Sequence, residues 1–256
     1  MRPIIMPFRL AVCAALVLAA ACGTKDAAGP LVASGPTGRI RFVNVITDTT
    51  RGRVNAILES VPFGVNLTYA QSTPATLPAP STALYSAVLS GTRSLVLKRT
   101  ADTNVTVATI QVTVDANQDR TVYAVGGTGN SAVSSFVTTD TNTAVPTGQT
   151  RLRVVQLSPT AGAVDVFITA ANADLAAATP AAANVRIQGT SAYFTLAPGA
   201  YTVRAVPAGT APAARGAAVS ITLTGLTLAA GAARTIVLAE NNVGGAPLRA
   251  FVLVDQ

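Results

Sequence analysis

Arg39-Ile40-Arg41-Phe42-Val43-Asn44-Val45 returns as Arg151-Leu152-Arg153-Val154-Val155-Gln156-Leu157, 112 residues later. In both heptapeptides a polar or charged residue alternates with an apolar one at the start, the period-two signature of a strand with two unlike faces. The match continues outward in order. Val54-Asn55-Ala56-Ile57-Leu58 answers Val164-Asp165-Val166-Phe167-Ile168, Tyr85 with Gly91 answers Tyr193 with Gly199, Arg120-Thr121-Val122 answers Arg234-Thr235-Ile236, and Phe136, Val137 and Asp140 answer Phe251, Val252 and Asp255. The offset drifts between 108 and 115. Length changes in loops produce such drift, because loops absorb insertions and strands do not.

Each copy is about 105 residues, a size at which a seven-stranded sandwich closes a core. Between the apolar runs lie Gly, Pro, Asn and Asp clusters, for example around Val105–Val114, Tyr201–Ala205 and Leu248–Val254, which is all-β spacing. The Ala-rich stretch Ala170–Asn184 is interrupted by Pro180 and reads as a loop with at most one helical turn. The fold expected is therefore two tandem antiparallel β-sandwiches, Ig-like or transthyretin-like, over residues 39–145 and 150–256, joined by the short linker Val145-Pro146-Thr147-Gly148-Gln149-Thr150.

Residues 1–21 carry Arg2 and Arg9 ahead of an apolar run from Leu10 to Ala21, the layout of an export signal. That run is well short of the ~20 residues a spanning helix needs. Leu18-Ala19-Ala20-Ala21-Cys22-Gly23 resembles the lipobox of bacterial lipoproteins, which implies lipidation of Cys22 after cleavage. Leu18 stands one place further from the cysteine than is usual. Cys13 lies within the signal, so Cys22 would be the mature chain's only thiol and no intramolecular disulfide could form. Residues 22–38, rich in Ala, Gly, Pro, Thr and Ser, read as a flexible tether. Gly23 is not the Asp that holds many lipoproteins at the inner membrane, so the expectation is a cell-envelope protein, lipid-anchored at the outer membrane or cell surface.

Composition removes much catalytic chemistry. The 256 residues contain no His, so Ser-His-Asp and Cys-His machinery and His-dependent zinc sites are excluded. With Arg2 and Arg9 removed, 16 basic residues face 11 acidic ones, a net +5. The arginines are scattered, with no Lys/Arg run, so nucleic acid is not an expected partner and the arginines are expected on solvent faces. Asp165, the one acid inside an apolar strand of a matched block, could ligate a cation, but Asn55 replaces it in the other copy. A solvent-face or turn-bonding role is expected instead, and no metal or cofactor. Asp115, Asp119 and Asp140 read as turn formers, with Ala116-Asn117-Gln118 in a hairpin turn. Ser94 and Lys98 lack Ser-x-x-Lys spacing, and Gly126-Gly127-Thr128-Gly129-Asn130 lacks the lysine of a phosphate loop; it and Asn241–Gly245 read as hairpin connections. Tyr85 and Tyr193, at matched positions, are expected to pack in or beside the core.

The block Arg151–Pro159, then Ala163–Ile168, then Leu196-Ala197-Pro198-Gly199-Ala200-Tyr201-Thr202-Val203-Arg204, resembles the domain of unknown function 4397, with a less regular match in the first copy. The resemblance implies a β-sandwich of the bacterial envelope and carries no catalytic residues. The expected role is thus a non-catalytic structural or interaction module, held to the membrane by lipid, with a protein or polysaccharide partner. A carbohydrate-binding lipoprotein is the alternative, and a glycoside hydrolase using carboxylates alone is the third reading.

Overall fold

Alternation in the first copy produces nine strands: β1 (Thr37–Ile46), β2 (Val54–Leu58), β3 (Val61–Leu67), β4 (Ser72–Thr73), β5 (Ser86–Leu89), β6 (Gly91–Arg99), β7 (Asp102–Val114), β8 (Asp119–Gly126) and β9 (Val133–Asp140). The structure, a computed structural model, describes residues 35–74, 83–141 and 143–255. One sheet has the order β4-β1-β8-β9, with β5 also on β1; the other has the order β3-β2-β6-β7. Ile40, Phe42 and Ile46 of β1 face Val54, Leu95, Leu97 and Ile110 across the gap and form one buried apolar core.

The second copy repeats this strand for strand. Its elements are β10 (Thr150–Gln156), β11 (Val164–Thr169), β12 (Ala182–Val185), β13 (Gly189–Thr190), β14 (Phe194–Leu196), β15 (Gly199–Pro207), β16 (Ile221–Leu228), β17 (Ala233–Ala239) and β18 (Arg249–Val254). They pair as β13-β10-β17-β18, with β14 on β10, and as β12-β11-β15-β16. The all-β, two-sandwich expectation is met. One pairing in each half is parallel, β1 with β8 and β10 with β17, so these two sheets are mixed. The strands in the opposite sheet supply the crossover that a parallel pair needs.

Two local readings change. The turn Asp115–Asp119 is tight, with Asn117 at φ 59, but it joins β7 to β8 in opposite sheets and is not a hairpin. Residues 170–181 form turns, and β12 begins at Ala182; Leu175 from this stretch is buried on Phe167 and Val206. The loops after β8 and β17 are hairpins, as expected. A two-residue hairpin also links β2 and β3, with Glu59 and Ser60 both at positive φ and the Glu59 carboxylate accepting the Ser94 N–H at 2.6 Å.

The two halves share a third apolar core. Val43, Val45, Tyr123 and Val125 from the outer face of β1 and β8 pack on Val155, Leu157, Val237 and Ala239 from the outer face of β10 and β17. Four sheets are thereby stacked, the middle two buried on both faces, which explains why β1 and β10 are buried along almost their whole length. The C-terminal ends of β1, β8, β10 and β17 meet at one pole, where Val45, Thr47, Val125, Gly126, Leu157 and Glu240 line a common cleft. The start of β1 lies at the other pole, beside the β7–β8 turn: Arg39 N donates to Gln118 O and Asn117 N to Thr37 O, both at 2.8 Å. At this crossing a Cβ on Gly38 would lie 2.3 Å from Asp115 O. Gly38→Ala is expected to lower the urea midpoint by an amount equivalent to about 1–3 kcal/mol, measured by equilibrium unfolding.

Candidate functional site

Because β1 and β10 are two-faced, placing Ile40 and Phe42 in one core turns Arg41 toward the other half, and the same alternation turns Arg153 back. Both guanidinium groups are 2% exposed, against the expectation that the arginines lie on solvent faces. They are buried because each half covers that face of the other. Each reaches across: Arg41 Nη2 lies 2.8 Å from Asp255 Oδ1, and Arg153 Nη2 pairs with Asp140 Oδ1. Arg41 Nη1 donates to Val254 O at 2.7 Å and Arg153 Nη1 to Thr139 O at 3.0 Å. Their Nε atoms donate to the threonine opposite on the neighbouring strand, Arg41 to Thr121 at 3.0 Å and Arg153 to Thr235 at 2.8 Å. The Thr235 hydroxyl in turn donates a hydrogen bond to Asp255 Oδ2 at 2.6 Å, and the Thr121 hydroxyl donates one to Asp140 Oδ2. The arrangement is a pseudo-two-fold, with its axis along the strands.

An aromatic ring closes each side. Arg41 sits 4.6 Å from the centroid of Tyr85 and Arg153 4.8 Å from that of Tyr193, in keeping with the packing expected of these tyrosines. The symmetry is incomplete. Tyr85 donates to Asp140 at 2.7 Å, whereas the Tyr193 hydroxyl accepts from Thr141 N at 3.4 Å. Burial pushes the Tyr193 phenol up to about 12. Burial alone would raise the Asp140 carboxyl, but Arg153 and Arg41 outweigh it and hold the group below the ordinary aspartate range. Asp140 is therefore not a turn former but the centre of the contact between halves. Asp119 likewise pairs with Arg39, whose Nε donates to it at 2.6 Å.

At the opposite pole two carboxylates organise the loops. Asp48 Oδ1 accepts from Thr50 N at 2.8 Å and Thr50 Oγ1 at 2.7 Å, while Arg51 Nε holds Oδ2 at 2.5 Å. Arg51 then donates to Ser131 O at 2.8 Å, tying the β1–β2 loop to the β8–β9 loop. Glu240 does the corresponding work in the other half, accepting from Thr160 N at 2.8 Å, Ser158 Oγ at 3.2 Å and Gly245 N. Burial raises both carboxyls, and the donors around them hold both below their usual range. Tyr69 from the first half donates to Glu240 O at 2.5 Å, so loops of both halves interlock around a cleft of about 110 Å³. Thr47, Thr128 and Ser134 line it together with Val45, Val125 and Leu157, and the Thr47 hydroxyl lies 3.0 Å from Gly126 O and 2.6 Å from the Thr128 hydroxyl.

Cys22 lies outside the described residues. Asp165 is 8% exposed and not on a solvent face; it accepts the backbone N–H of Asn184 at 2.8 Å and of Gly209 at 3.2 Å. Asn55 holds the equivalent place, accepting from Asn66 N at 2.8 Å and Thr100 Oγ1 at 3.0 Å. Both bonds steady an edge-strand asparagine in the left-handed region, Asn184 at φ 50 and Asn66 at φ 56. A carbonyl oxygen serves as well as a carboxylate here, which is why the two copies can differ. Ser94 and Lys98 sit four residues apart along β6, roughly 13 Å; Lys98 Nζ instead donates to Thr106 at 2.8 Å. Among the described residues no three Cys, Asp or Glu side chains come together as a cation-holding group, and no helix is long and apolar enough to cross a membrane. The Arg–Asp network went unread in the sequence, although the recurrence of Arg41 as Arg153 and of Asp140 as Asp255 was its signal.

The family model described as "Domain of unknown function (DUF4397)" matches residues 38–167, from the start of β1 through Phe167 in β11. No curated protein matches the chain.

Two outcomes are expected from substitutions here. Asp140→Asn should cost about 3–5 kcal/mol at neutral pH, because buried Arg153 loses its charge partner and Arg41, which keeps Asp255, loses a second carboxylate at 3.6 Å. A carboxyl held low in the fold contributes stability that is present above the unfolded pKa of about 4 and is lost as pH falls through the folded value. Urea midpoints of wild type and variant should thus differ most at neutral pH and converge in strong acid. Asn55→Asp should shift the midpoint by less than about 0.5 kcal/mol, while Asn55→Leu, which strands two donors, should cost about 1–3 kcal/mol.

Proposed function

The chain belongs to the DUF4397 family, and from that premise we propose that it is a non-catalytic, lipid-anchored envelope protein that displays the interlocked loops of its two sandwiches to a partner. The observation that carries this reading is polarity. The strand that follows the tether begins at one pole, beside the β7–β8 turn, and the loops of both halves converge on a single cleft at the other. An anchor at Cys22 would hold the first pole toward the membrane and turn the loop pole outward. Acyl-chain methylenes buried in the bilayer, at about 0.8 kcal/mol each, would make the attachment lasting once more than one chain is present.

A binding role, as against a hydrolytic one, is supported by what the acids do. Asp48, Asp140, Asp165 and Glu240 all accept hydrogen bonds from the protein itself, so these four carboxylates shape loops and the contact between halves. The cleft hydroxyls would suit a sugar, and glycan recognition is the second reading. Among the described residues no aromatic ring lines that cleft to offer a sugar a stacking face.

Metabolic labelling with a fatty acid, followed by protease treatment of intact cells, tests the proposal. Label on the wild type, its loss in Cys22→Ser, and digestion of the protein on unbroken cells are the expected results. An unlabelled wild type, or full protection until lysis, would overturn anchoring or outward display respectively.

A further inference from the structure

The outer faces of the two outer sheets are finished differently. In the second half Phe167 of β11 and Val206 of β15 turn away from their own core, and residues 170–181 and 208–220 fold over them. Leu175 is buried on both, Arg215 lies 5.1 Å from the Phe167 centroid and donates to Ala178 O at 2.9 Å, and Arg204 of β15 donates to Ala173 O at 2.7 Å. In the first half β2 passes to β3 through Glu59 and Ser60 alone, and β6 to β7 through Thr100 and Ala101 alone. Ile57 holds the place of Phe167, and Val96, paired with Ile57, holds the place of Arg204, paired with Phe167. The register carries on to Pro62 on one side and Thr109 on the other, so a row Pro62–Ile57–Val96–Thr109 crosses the sheet. Ile57 and Val96 are half-buried, Pro62 is exposed, and Val65 beside them is 59% exposed, so no such cover lies over this row among the described residues. Where the second half has an arginine that binds its cover, the first half has an aliphatic side chain and no cover.

We propose that this face is covered by the same face of a second copy of the chain, in a two-fold pair whose axis lies across the strands along the Ile57–Val96 row. The placement of charge points to this occupant. Along β6, Ser94 and Lys98 stand two residues either side of Val96, roughly 7 Å each way. The Glu59 carboxylate is held at Ser94, whose N–H it accepts at 2.6 Å, and the Lys98 ammonium donates to Thr106 at 2.8 Å. The face therefore has an anionic end, an apolar middle and a cationic end. Rotation about an axis along the middle row reverses the strands, so that the apolar rows meet and Glu59 of each copy comes to the end where the other has Lys98. An axis along the strands would instead bring like charges to the same end. A face that complements itself under a two-fold is what an isologous contact requires. One four-stranded face is small beside a standard interface, so the pair is weak and forms with rising concentration. This contact goes beyond the loop-pole reading and does not depend on it.

The test uses the exported mature chain carrying Cys22→Ser, so that no lipid can associate the copies, and reads sedimentation equilibrium over about 1–500 µM. This parent protein should show a monomer–dimer equilibrium. Val96→Arg, which installs the residue that the second half carries at the same register, should weaken dimerisation at least about tenfold. Glu59→Lys and Lys98→Glu should each weaken self-association about tenfold, because each sets like charges together at both ends. An equimolar mixture of these two variants should associate as the parent does, since every charge then meets its opposite. That recovery reads the contact itself and is independent of any loss of folding in Val96→Arg. A parent that stays monomeric across the range, a dimer indifferent to Val96→Arg or to the single charge changes, or a mixture no tighter than either variant alone overturns the proposal. Any of these failures leaves anchoring and display, read by labelling and digestion, standing.

Discussion

Two guanidinium–carboxylate contacts that cross between the sandwiches fix the rest of the molecule. Taking charges out of water costs several kcal/mol per ion, and only good geometry with every donor used offsets it. Here each arginine spends its donors on a carboxylate, a carbonyl and a threonine hydroxyl, and lays its face on a tyrosine. That geometry is available in one relative placement of the halves, the one in which both sets of strands run the same way about a common axis. The apolar contacts of Val43, Val155 and their neighbours would tolerate sliding; the crossed pairs do not. The convergence of the loops at one pole follows from this choice.

The repeat, the all-β character and the hairpins after β8 and β17 were legible because strands announce themselves through alternation and loops through Gly and Asn. What covers a strand's second face is not encoded in its own alternation. Arg41 reads as a solvent residue for as long as the second half is absent, and becomes a buried one only when Asp255 and Val254 are brought over it. The same limit applies to Asp165. Its period-two neighbours show which way it points, but the backbone N–H groups it serves, Asn184 and Gly209, are distant in sequence. Asp115 and Asn117 mark a turn, which the sequence reads as a hairpin, whereas the sheet on which β8 lands depends on its parallel partnership with β1, a long-range pairing.

Covalent joining of two like domains relaxes a demand that a symmetric dimer cannot escape, that every change occur twice. The chain has used that freedom at several places. Tyr123 faces the inter-half core where its counterpart is Val237, and its buried hydroxyl finds no protein partner among the described residues. Tyr85 donates to a carboxylate where Tyr193 accepts from an amide. Leu175 and its neighbours cover Phe167 on one outer sheet face, while Ile57 and Val96 stay half-exposed on the other. Symmetry is strict at the crossed arginines and lax at the periphery.

The parallel pairing of β1 with β8 also has a mechanical meaning. Tension drawn on the chain ahead of Thr37 pulls along the axis of β1, which is matched residue for residue with β8 from Arg39↔Asp119 to Ile46↔Gly126. Such a pull loads those rungs together, in shear, and does not open them one after another as a peeling force on a hairpin end would. The strand that takes up such a pull is thus clamped on both edges, flanked on the other by β4 and β5 and pinned from the second half by Asp255 on Arg41.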